Sequence, residues 1–231
     1  MAHDHPHDDH DPGDHSDHSD HGDHDHPDPH APIAEDHAVR PESARLERAI
    51  RELLIGKGVF SAADLQRQIE LSQAPNVERG ARMVARAWTD PEYKAWLLRD
   101  PKAAIEDLLG VDLTSTPELA VVENTPERHH VVCCTLCSCY PRAIIGLPPA
   151  WYKSVEYRAR VVREPRSVLE EFGTTLPPEV EIRVVDSTAD MRYIVLPLRP
   201  SNTGQASEEE LAQLVTRDSL IGVTVLPGSR A

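Results

Sequence analysis

The sequence predicts an α+β fold, in which an N-terminal helical arm precedes a layered α-β-β-α sandwich domain. Two observations carry this prediction. From Pro41 to Gly110, apolar residues recur at helical spacing between helix start and stop signals. Four short runs rich in β-branched residues follow, with two helical segments between the second and the third: ELAVVE, HHVVCC, EIRVVD and RYIVLPL. We therefore divide the chain into a tail (1–39), a helical arm that contacts a partner subunit (40–116) and an α/β domain (117–231).

The tail has an unusual composition. Residues 1–30 contain ten Asp, ten His and no Lys or Arg. So few apolar side chains cannot offset the entropy that ordering the backbone would cost, and we expect a disordered tail. Imidazole and carboxylate groups at spacings such as His-Gly-Asp-His could bind a divalent metal ion loosely. A tail that only keeps the protein solvated is the alternative.

The charge and hydropathy of the chain exclude several classes of protein. The formal net charge is −15, and the ten aspartates of the tail account for all but −5 of it. Nucleic-acid binding needs a basic face, which this composition does not provide. The sequence has no apolar run long enough to span a membrane and no basic, then apolar, export signal. We therefore expect a cytoplasmic protein.

The first helix of the arm is predicted by one apolar face and a stop signal. Leu46, Ile50, Leu53 and Leu54 share that face, and Gly56 follows them. Short amphipathic helices of this kind, placed before a mixed α/β region, are typical of an arm that embraces a partner chain.

The remaining helices of the arm are predicted from their terminal residues. Ser61 is a suitable N-cap for the segment AADLQRQIEL. Pro91 and Pro101 each suit a first helical position, and Gly110 suits the end of the helix that Pro101 begins.

Three further helices are predicted in the α/β domain. Ser154 and Pro165 begin two segments between the strand pairs, and Gly173 ends the second. Near the C-terminus, Ser207 and Glu210 have the spacing of a capping box.

All four cysteines of the chain lie in the seven residues CCTLCSC, residues 133–139. In a reducing compartment, clustered cysteines favour metal binding or catalysis over disulfides. The segment follows a predicted strand, so we expect a loop that leaves a sheet. A structural zinc site needs a second ligand pair elsewhere, and an iron–sulfur cluster needs wider spacing. The ligands that remain are Cys134, Cys137 and Cys139.

The Cys-Ser-Cys end of this loop suggests a square-planar arrangement. In so tight a turn, the backbone nitrogens of Ser138 and Cys139 fall beside the sulfurs of Cys137 and Cys139. Two deprotonated amides and two sulfurs could form a plane, with Cys134 as the axial ligand and a sixth position open. Such a plane favours low-spin trivalent cobalt or iron, which would act as a Lewis acid at the open position.

The sequence resembles a known family at this point. The segment CTLCSCYPRAIIGLPPAWYKSVEYRARVVREPRSVLEEFG is similar to the α subunit of nitrile hydratase and to the related γ subunit of thiocyanate hydrolase. The resemblance continues through DPEYKAWLL, VVENTP, DSTADMRYIVLPLRP and LVTRDSLIGV, so that it runs from about Glu42 to Val225. It implies the layered fold of the nitrile hydratase α subunit.

The resemblance also implies a metal centre with one Co(III) or, less commonly, Fe(III) ion per chain. By position, Cys134 is the axial thiolate, Cys137 becomes a sulfinate and Cys139 a sulfenate. Ser138 and Cys139 supply the amide nitrogens. The implied reaction is the addition of water to a nitrile to give the amide, with the Cys139 sulfenate as nucleophile or as base for water.

The family resemblance further implies cobalt and a partner. Thr135 and Tyr140 are the motif residues that usually accompany Co(III), and Tyr140 and Arg142 are predicted to border the site of reaction. In the family, two arginines of a β-type subunit bind the oxidised sulfurs by charge-assisted hydrogen bonds, so we expect this chain to be inactive alone. A metallochaperone could deliver the ion.

Some positions depart from the nitrile hydratase pattern. Arg142 stands where hydratases often have Trp, as in thiocyanate hydrolase, whereas GLPPAWYK is more typical of the hydratases. Cys133 replaces an apolar residue, and we interpret it as a buried residue without a role in the metal site. Asp186, Asp190 and Arg192 match a segment that surrounds the metal ligands, although an ion pair of Asp186 with Arg192 on the surface is the alternative.

The sequence therefore predicts the α subunit of a cobalt nitrile hydratase. Two alternatives stay open: a thiocyanate hydrolase γ-like subunit, and a non-catalytic metal-handling protein whose His-rich tail collects ions.

Overall fold

The computed structural model describes residues 41–73 and 77–229, so the predicted tail lies outside it. The described residues form eleven helices and four strands. The helices are α1 (Pro41–Gly56), α2 (Ala62–Gln73), α3 (Val77–Thr89), α4 (Pro91–Arg99), α5 (Pro101–Leu109), α6 (Arg142–Ile145), α7 (Ala150–Lys153), α8 (Val155–Arg160), α9 (Pro165–Glu171), α10 (Glu208–Leu214) and α11 (Arg217–Ile221). The strands are β1 (Glu118–Glu123), β2 (Arg128–Cys133), β3 (Glu181–Asp186) and β4 (Met191–Leu196).

The predicted helix ends are confirmed by their capping bonds. The Ser61 hydroxyl accepts from the Asp64 backbone N–H at 3.0 Å, and α4 and α5 begin at Pro91 and Pro101. Gly110 ends α5 in the left-handed conformation, with φ of 63°. At α10, the capping box of Ser207 with Glu210 is formed in both directions.

The strands form two parallel pairs. β1 pairs with β4, and β2 pairs with β3, so that Val121 lies opposite Ile194 and Cys133 lies opposite Asp186. Strand β2 also contacts β4, which brings the two pairs together in the core. Because β2 ends at Cys133, the next cysteine, Cys134, belongs to the loop that leaves the sheet.

Helices cover the strand pairs and complete one hydrophobic core. α4 and α5 pack against β1, α9 against β3, and α11 against β2 and β4. The core includes Met83 and Leu97 from the predicted arm together with Val131 and Tyr157 from the predicted α/β domain. Helices α3 to α5 therefore belong to the same core as the strands, and the proposed boundary at residues 116 and 117 stays a prediction.

Helix α1 differs from the helices that pack on the core. None of its residues is buried, and Leu46, Ile50 and Leu53 are 63%, 48% and 56% exposed. Its apolar side chains line a groove with Phe60 and Leu65. This exposed apolar face accords with the prediction of an arm that contacts a partner, which remains a prediction.

Among the described residues, none of the helices combines the length and the apolar character that a membrane span requires.

A buried histidine links β2 to the end of α11. The His129 ring is 3% exposed; its Nδ1 lies 3.1 Å from Asn124 Nδ2 and its Nε2 lies 2.6 Å from the Gly222 carbonyl oxygen. These partners assign a neutral ring that donates from Nε2 and accepts at Nδ1. Burial lowers the pKa of His129 more than the Gly222 carbonyl raises it.

The lowered pKa of His129 predicts that the folded state loses stability in acid. Because the pKa in the folded chain is below the ordinary 6.5, the folded state binds fewer protons, and stability is lost as pH falls below that value. The neighbouring His130 adds to the effect, since burial and then Arg128 and Arg183 lower its pKa as well. Denaturant unfolding from about pH 7.5 to about pH 5.5 should show a falling free energy of unfolding. His129→Gln should make that slope shallower, and an unchanged slope would contradict the assignment.

Candidate metal centre

Three cysteine sulfurs converge in the loop that follows β2. The Sγ atom of Cys137 lies 3.5 Å from that of Cys134 and 3.3 Å from that of Cys139. All three sulfurs lie within 4.8 Å of one another. Cys134 is buried, Cys139 is half-buried and Cys137 is exposed, so the cluster lies where the protein interior meets its surface. The loop thus brings together the three cysteines that the sequence singled out.

Two of the sulfur separations are short enough for ligands of a single metal ion. Two sulfurs bound at about 2.3 Å would lie about 3.3 Å apart at a right angle and about 3.8 Å apart at the tetrahedral angle. The separations of 3.3 and 3.5 Å fall within this range. The three sulfurs could therefore bind one metal ion together.

The protonation of the thiols differs within the cluster. Hydrogen bonds with the thiols of Cys139 and Cys134, and then with the Ser138 N–H, lower the pKa of Cys137. Burial, together with hydrogen bonding to Cys137, raises the pKa of Cys139 to about 12, although the nearby Arg192 guanidinium opposes this rise. Of these two thiols, Cys137 therefore ionises first, and a metal ion would have to displace the proton of Cys139.

Cys133 stands apart from the three clustered cysteines. It is fully buried, as the sequence predicted, and its Sγ lies 4.0 Å from a carboxylate oxygen of Asp186. Burial, and then the negative charge of Asp186, raises the pKa of this thiol to about 12. Because Cys133 is the last residue of β2, its thiol lies beside Asp186, whereas the Cys134 thiol lies in the sulfur cluster.

Asp186 anchors the start of the loop. Its carboxylate accepts from the Thr135 backbone N–H at 2.9 Å and from the Thr135 hydroxyl at 2.5 Å. Arg192 donates to the backbone carbonyls of Thr188 and Met191. These contacts differ from the ion pair with Asp186 that was the alternative interpretation. Both residues nonetheless interact with the cysteine loop. Asp186 accepts hydrogen bonds from Thr135, and the positive charge of Arg192 acts to lower the pKa of Cys139.

Asp190 is the predicted site residue that has no such contact. Its side chain is exposed, and its backbone carbonyl accepts from the Glu118 N–H at the start of β1. Ser138, by contrast, lies between two of the clustered cysteines, where its backbone nitrogen is beside the Cys137 thiol.

A cavity of about 240 Å³ lies next to the cysteine loop. Tyr140, Arg142 and Arg192 border it, and most of the remaining wall is apolar, including Leu113 and Ile144. Tyr140 is buried, which raises the pKa of its phenol, whereas Arg142 is exposed at the start of α6. The cavity therefore combines a largely apolar lining with two cationic side chains, of which Arg192 acts on the Cys139 thiol.

Three residues that no sequence motif indicated donate to backbone carbonyls in or just before the loop. Tyr152 on α7 and Arg158 on α8 donate to loop carbonyls, and Tyr157 on α8 donates to the carbonyl of Val132 in strand β2. The available signal was chemical, since a buried tyrosine needs a partner for its hydroxyl. Which carbonyls accept depends on the packing of the two helices, and no sequence pattern indicates it.

The fold and the cluster define a class of protein: an α+β metalloprotein subunit that offers three cysteine ligands from one short loop. The chain belongs to the nitrile hydratase α-chain family, because the family model described as "Nitrile hydratase, alpha chain" matches residues 41–224. This confirms the resemblance seen in the sequence.

Two curated relatives illustrate the range of the family. A cobalt-containing nitrile hydratase subunit alpha from Pseudonocardia thermophila is 47% identical over 192 residues, which cover 81% of this chain and 93% of the relative. A thiocyanate hydrolase subunit gamma from Thiobacillus thioparus is 48% identical over 191 residues, which cover 78% of each chain. The chain is thus similar to both kinds of subunit to nearly the same degree.

Solved structures agree on the fold. A double mutant of the Fe-type nitrile hydratase from Comamonas testosteroni Ni1 matches with a TM-score of 0.77 and 43% identity, over 83% of this chain and 95% of the other. A recombinant thiocyanate hydrolase with partially modified cobalt centres matches with a TM-score of 0.75 and 46% identity, over 82% and 92%. These likenesses confirm the predicted α+β fold class.

Proposed function

We propose that this chain is the α subunit of a cobalt(III) nitrile hydratase and that it hydrates nitriles to amides together with a β-type partner. The observation that carries the proposal is the convergence of the Cys134, Cys137 and Cys139 sulfurs within 4.8 Å in one loop. With the backbone nitrogens of Ser138 and Cys139, these sulfurs would hold one ion per chain.

A bound trivalent ion would act as a Lewis acid that polarises the carbon–nitrogen bond of the nitrile. The chain would contribute oxidised sulfurs, a sulfinate at Cys137 and a sulfenate at Cys139. As a base, the sulfenate oxygen of Cys139 would take a proton from a water molecule whose oxygen bonds to the nitrile carbon. As a nucleophile, the sulfenate oxygen itself would bond to that carbon, and the oxygen of a water molecule would then replace it on the Cys139 sulfur. In both routes the net change is the addition of one water, with two protons reaching nitrogen, which gives the amide. Tyr140 and Arg142 border the cavity where the substrate would lie.

Cobalt is favoured over iron by the motif and by the relatives. Thr135 and Tyr140 are the residues that accompany cobalt in the family, and several curated relatives are named cobalt-containing. An Fe-type enzyme is nonetheless among the structural neighbours, so iron is the second choice.

The exposure of the loop supports the need for a partner. Leu136, at the tip of the cysteine loop, is 84% exposed, and the Cys137 side chain next to it is exposed too. A β-type subunit would cover this tip, and its arginines would bind the oxygens on Cys137 and Cys139. We also propose a cytoplasmic location and, for delivery of the ion, a metallochaperone.

Mass spectrometry of the loop tests the proposed function most directly. The chain would be co-produced with a β-type partner in medium supplemented with cobalt, and the peptide spanning residues 129–142 analysed. We expect two added oxygens on Cys137 and one on Cys139. Unmodified thiols in protein that nevertheless contains cobalt would refute the catalytic assignment.

Thiocyanate hydrolysis is the second candidate function, and Arg142 is the observation that favours it. Arg142 borders the cavity beside the cysteine loop, together with Arg192, where its positive charge would attract a small anion. An anionic substrate would thus be favoured at the entrance of an otherwise largely apolar cavity.

Arg142→Trp should separate the two candidate functions. We expect the substitution to lower kcat/KM for thiocyanate, measured as release of ammonia and carbonyl sulfide, by about tenfold or more. Amide formation from a neutral nitrile should be unchanged or faster. Arg142→Lys, which retains the charge, is the matched control and should keep most of any thiocyanate activity. If Arg142→Trp affected both substrates equally, Arg142 would not select between them.

A non-catalytic metal-handling protein is the remaining alternative, and reversibility distinguishes it. A carrier would bind divalent ions reversibly without a partner, through the His-rich tail. The enzyme that we propose retains a trivalent ion and gains activity with its partner.

A further inference from the structure

The backbone of the cysteine loop is held by donors on the two short helices that follow it. α7 and α8 are joined at Ser154, whose hydroxyl caps α8 by accepting from the Tyr157 N–H. Two side chains of this helix pair donate to loop carbonyls, Tyr152 to Cys139 at 2.9 Å and Arg158 to Thr135 at 3.4 Å. Tyr157 donates to the Val132 carbonyl at 2.7 Å, in strand β2 just before the loop.

Core packing fixes the two tyrosines before any metal binds. Both side chains are fully buried. The Tyr152 ring meets Tyr140 edge to face with ring centroids 4.9 Å apart, and Trp151 meets Tyr157 in the same way at 4.9 Å. Trp151 also meets Phe172 edge to face, so these hydroxyls project from one connected aromatic cluster. Their positions are therefore set by the core rather than by the loop.

The ends of the loop are restrained and its tip is not. Tyr157 holds the carbonyl two residues before Cys134, and Tyr152 holds the carbonyl of Cys139 itself. Between these points, Leu136 and Cys137 are exposed and receive no packing from the core. The Cys139 side chain is half-buried against the core, so the position of its sulfur, 3.3 Å from that of Cys137, depends on this packing and on how its own backbone is held.

We propose that Tyr152 is a positioning residue for the metal centre: its phenol holds the Cys139 backbone so that the Cys139 thiol stays beside those of Cys134 and Cys137. The inference rests on the proposed function, since it concerns the same three sulfurs. Residues that orient metal ligands from outside affect affinity strongly, often by about tenfold to a hundredfold. Removing the hydroxyl also leaves a carbonyl without its donor.

Tyr152→Phe is the test, because it removes the hydroxyl and keeps the stacked ring. In the full chain co-produced with a β-type partner and cobalt, we expect cobalt retention against a chelator to weaken by about tenfold. We also expect fewer oxygens on Cys139 than in the wild type and a shifted sulfur-to-cobalt absorption band. If the variant had the same cobalt content, Cys139 oxidation and absorption as the wild type, the inference would be overturned.

Two further variants separate positioning from general loosening. Tyr93→Phe is the matched control, since the Tyr93 hydroxyl is buried and has no hydrogen-bond partner among the described residues. It should leave the cobalt centre unchanged. Tyr157→Phe removes the donor to Val132, a residue of β2 that the pairing with β3 also holds, and should affect Cys139 oxidation less than Tyr152→Phe does. Equal losses of Cys139 oxidation in the two variants would indicate general loosening and would overturn the specific role of Tyr152.

A second measurement keeps the inference independent of the proposed function. The metal-free full chain can be titrated with Cd²⁺, and sulfur-to-cadmium absorption then reports binding by the three thiols. Tyr152→Phe should weaken this binding by about tenfold, and equal binding by wild type and variant would overturn the inference. Wild-type protein that incorporates no cobalt would refute the proposed function alone, since the cadmium result would still decide the role of Tyr152.

Discussion

Cys134→Ala should abolish cobalt incorporation, whereas Cys133→Ala should leave it nearly intact. The two cysteines are adjacent in the sequence and both are fully buried. Only Cys134 belongs to the cluster of three sulfurs, where its Sγ lies 3.5 Å from that of Cys137. The neighbouring cysteine points instead toward Asp186. Two adjacent cysteines therefore differ in their contacts, since one belongs to the sulfur cluster and the other does not.

The expected size of the difference follows from the chemistry of the site. Loss of Cys134 removes one of three thiolate ligands, which should cost more than the roughly tenfold to hundredfold that outer residues contribute. Cys133→Ala removes only a sulfur atom from the core and should lower the free energy of unfolding by about 1 kcal/mol. Metal analysis of the two variants, each co-produced with a β-type partner in cobalt medium, measures the contrast.

Equal cobalt content in the two cysteine variants would contradict the ligand assignment. If both variants retained cobalt, Cys134 would not be a required ligand. If both lost it while remaining folded, Cys133 would take part in the centre, and the interpretation of this residue as outside the metal site would be wrong. Thermal unfolding of both proteins without metal is the control, since it separates loss of a ligand from loss of the fold.

The local features of this fold were predictable from the sequence because they are set by neighbouring residues. The strands β1 and β3 match the predicted runs, and the helix ends at Pro91, Pro101 and Gly110 depend on backbone conformations that those residues favour. The cysteine cluster is local in the same sense, since one seven-residue segment supplies all of its sulfurs.

Contacts between distant segments were not predictable in this way. The parallel pairing of β1 with β4 joins strands more than sixty residues apart, and no single run of residues encodes that partner. The short helices α6, α7 and α11 carry too few residues for a periodic pattern. The end of the helix that Ser154 begins, at Arg160, was not predicted either. The hydrogen bond between Thr135 and Asp186 depends on the register of β2 with β3. The hydrogen bond from Tyr152 to the Cys139 carbonyl depends on how α7 packs.

Gly222→Ala should be among the most destabilising single substitutions in the chain. Gly222 ends α11 with φ of 85°, where a residue with a side chain costs about 1 to 2 kcal/mol. A Cβ atom there would also overlap the His130 carbonyl oxygen, which belongs to strand β2 and cannot move without the sheet. The clash and the conformational strain together should exceed about 4 kcal/mol, a large share of the stability of a typical domain.

Gly110→Ala is the matched control for this substitution. Gly110 also has a positive φ, of 63°, but a Cβ atom added there would meet nothing within 4 Å, so it isolates the conformational strain. Denaturant unfolding should show a loss of about 1 kcal/mol for Gly110→Ala, and Gly222→Ala should be several times worse or fail to fold. Equal losses would mean that the approach of α11 to β2 is not tight.

Because β2 leads directly into the cysteine loop and His129 donates to the Gly222 carbonyl, a wider gap at this contact should also displace the start of the loop. Strand β2 should therefore couple the packing at Gly222 to the geometry of the three clustered cysteine sulfurs.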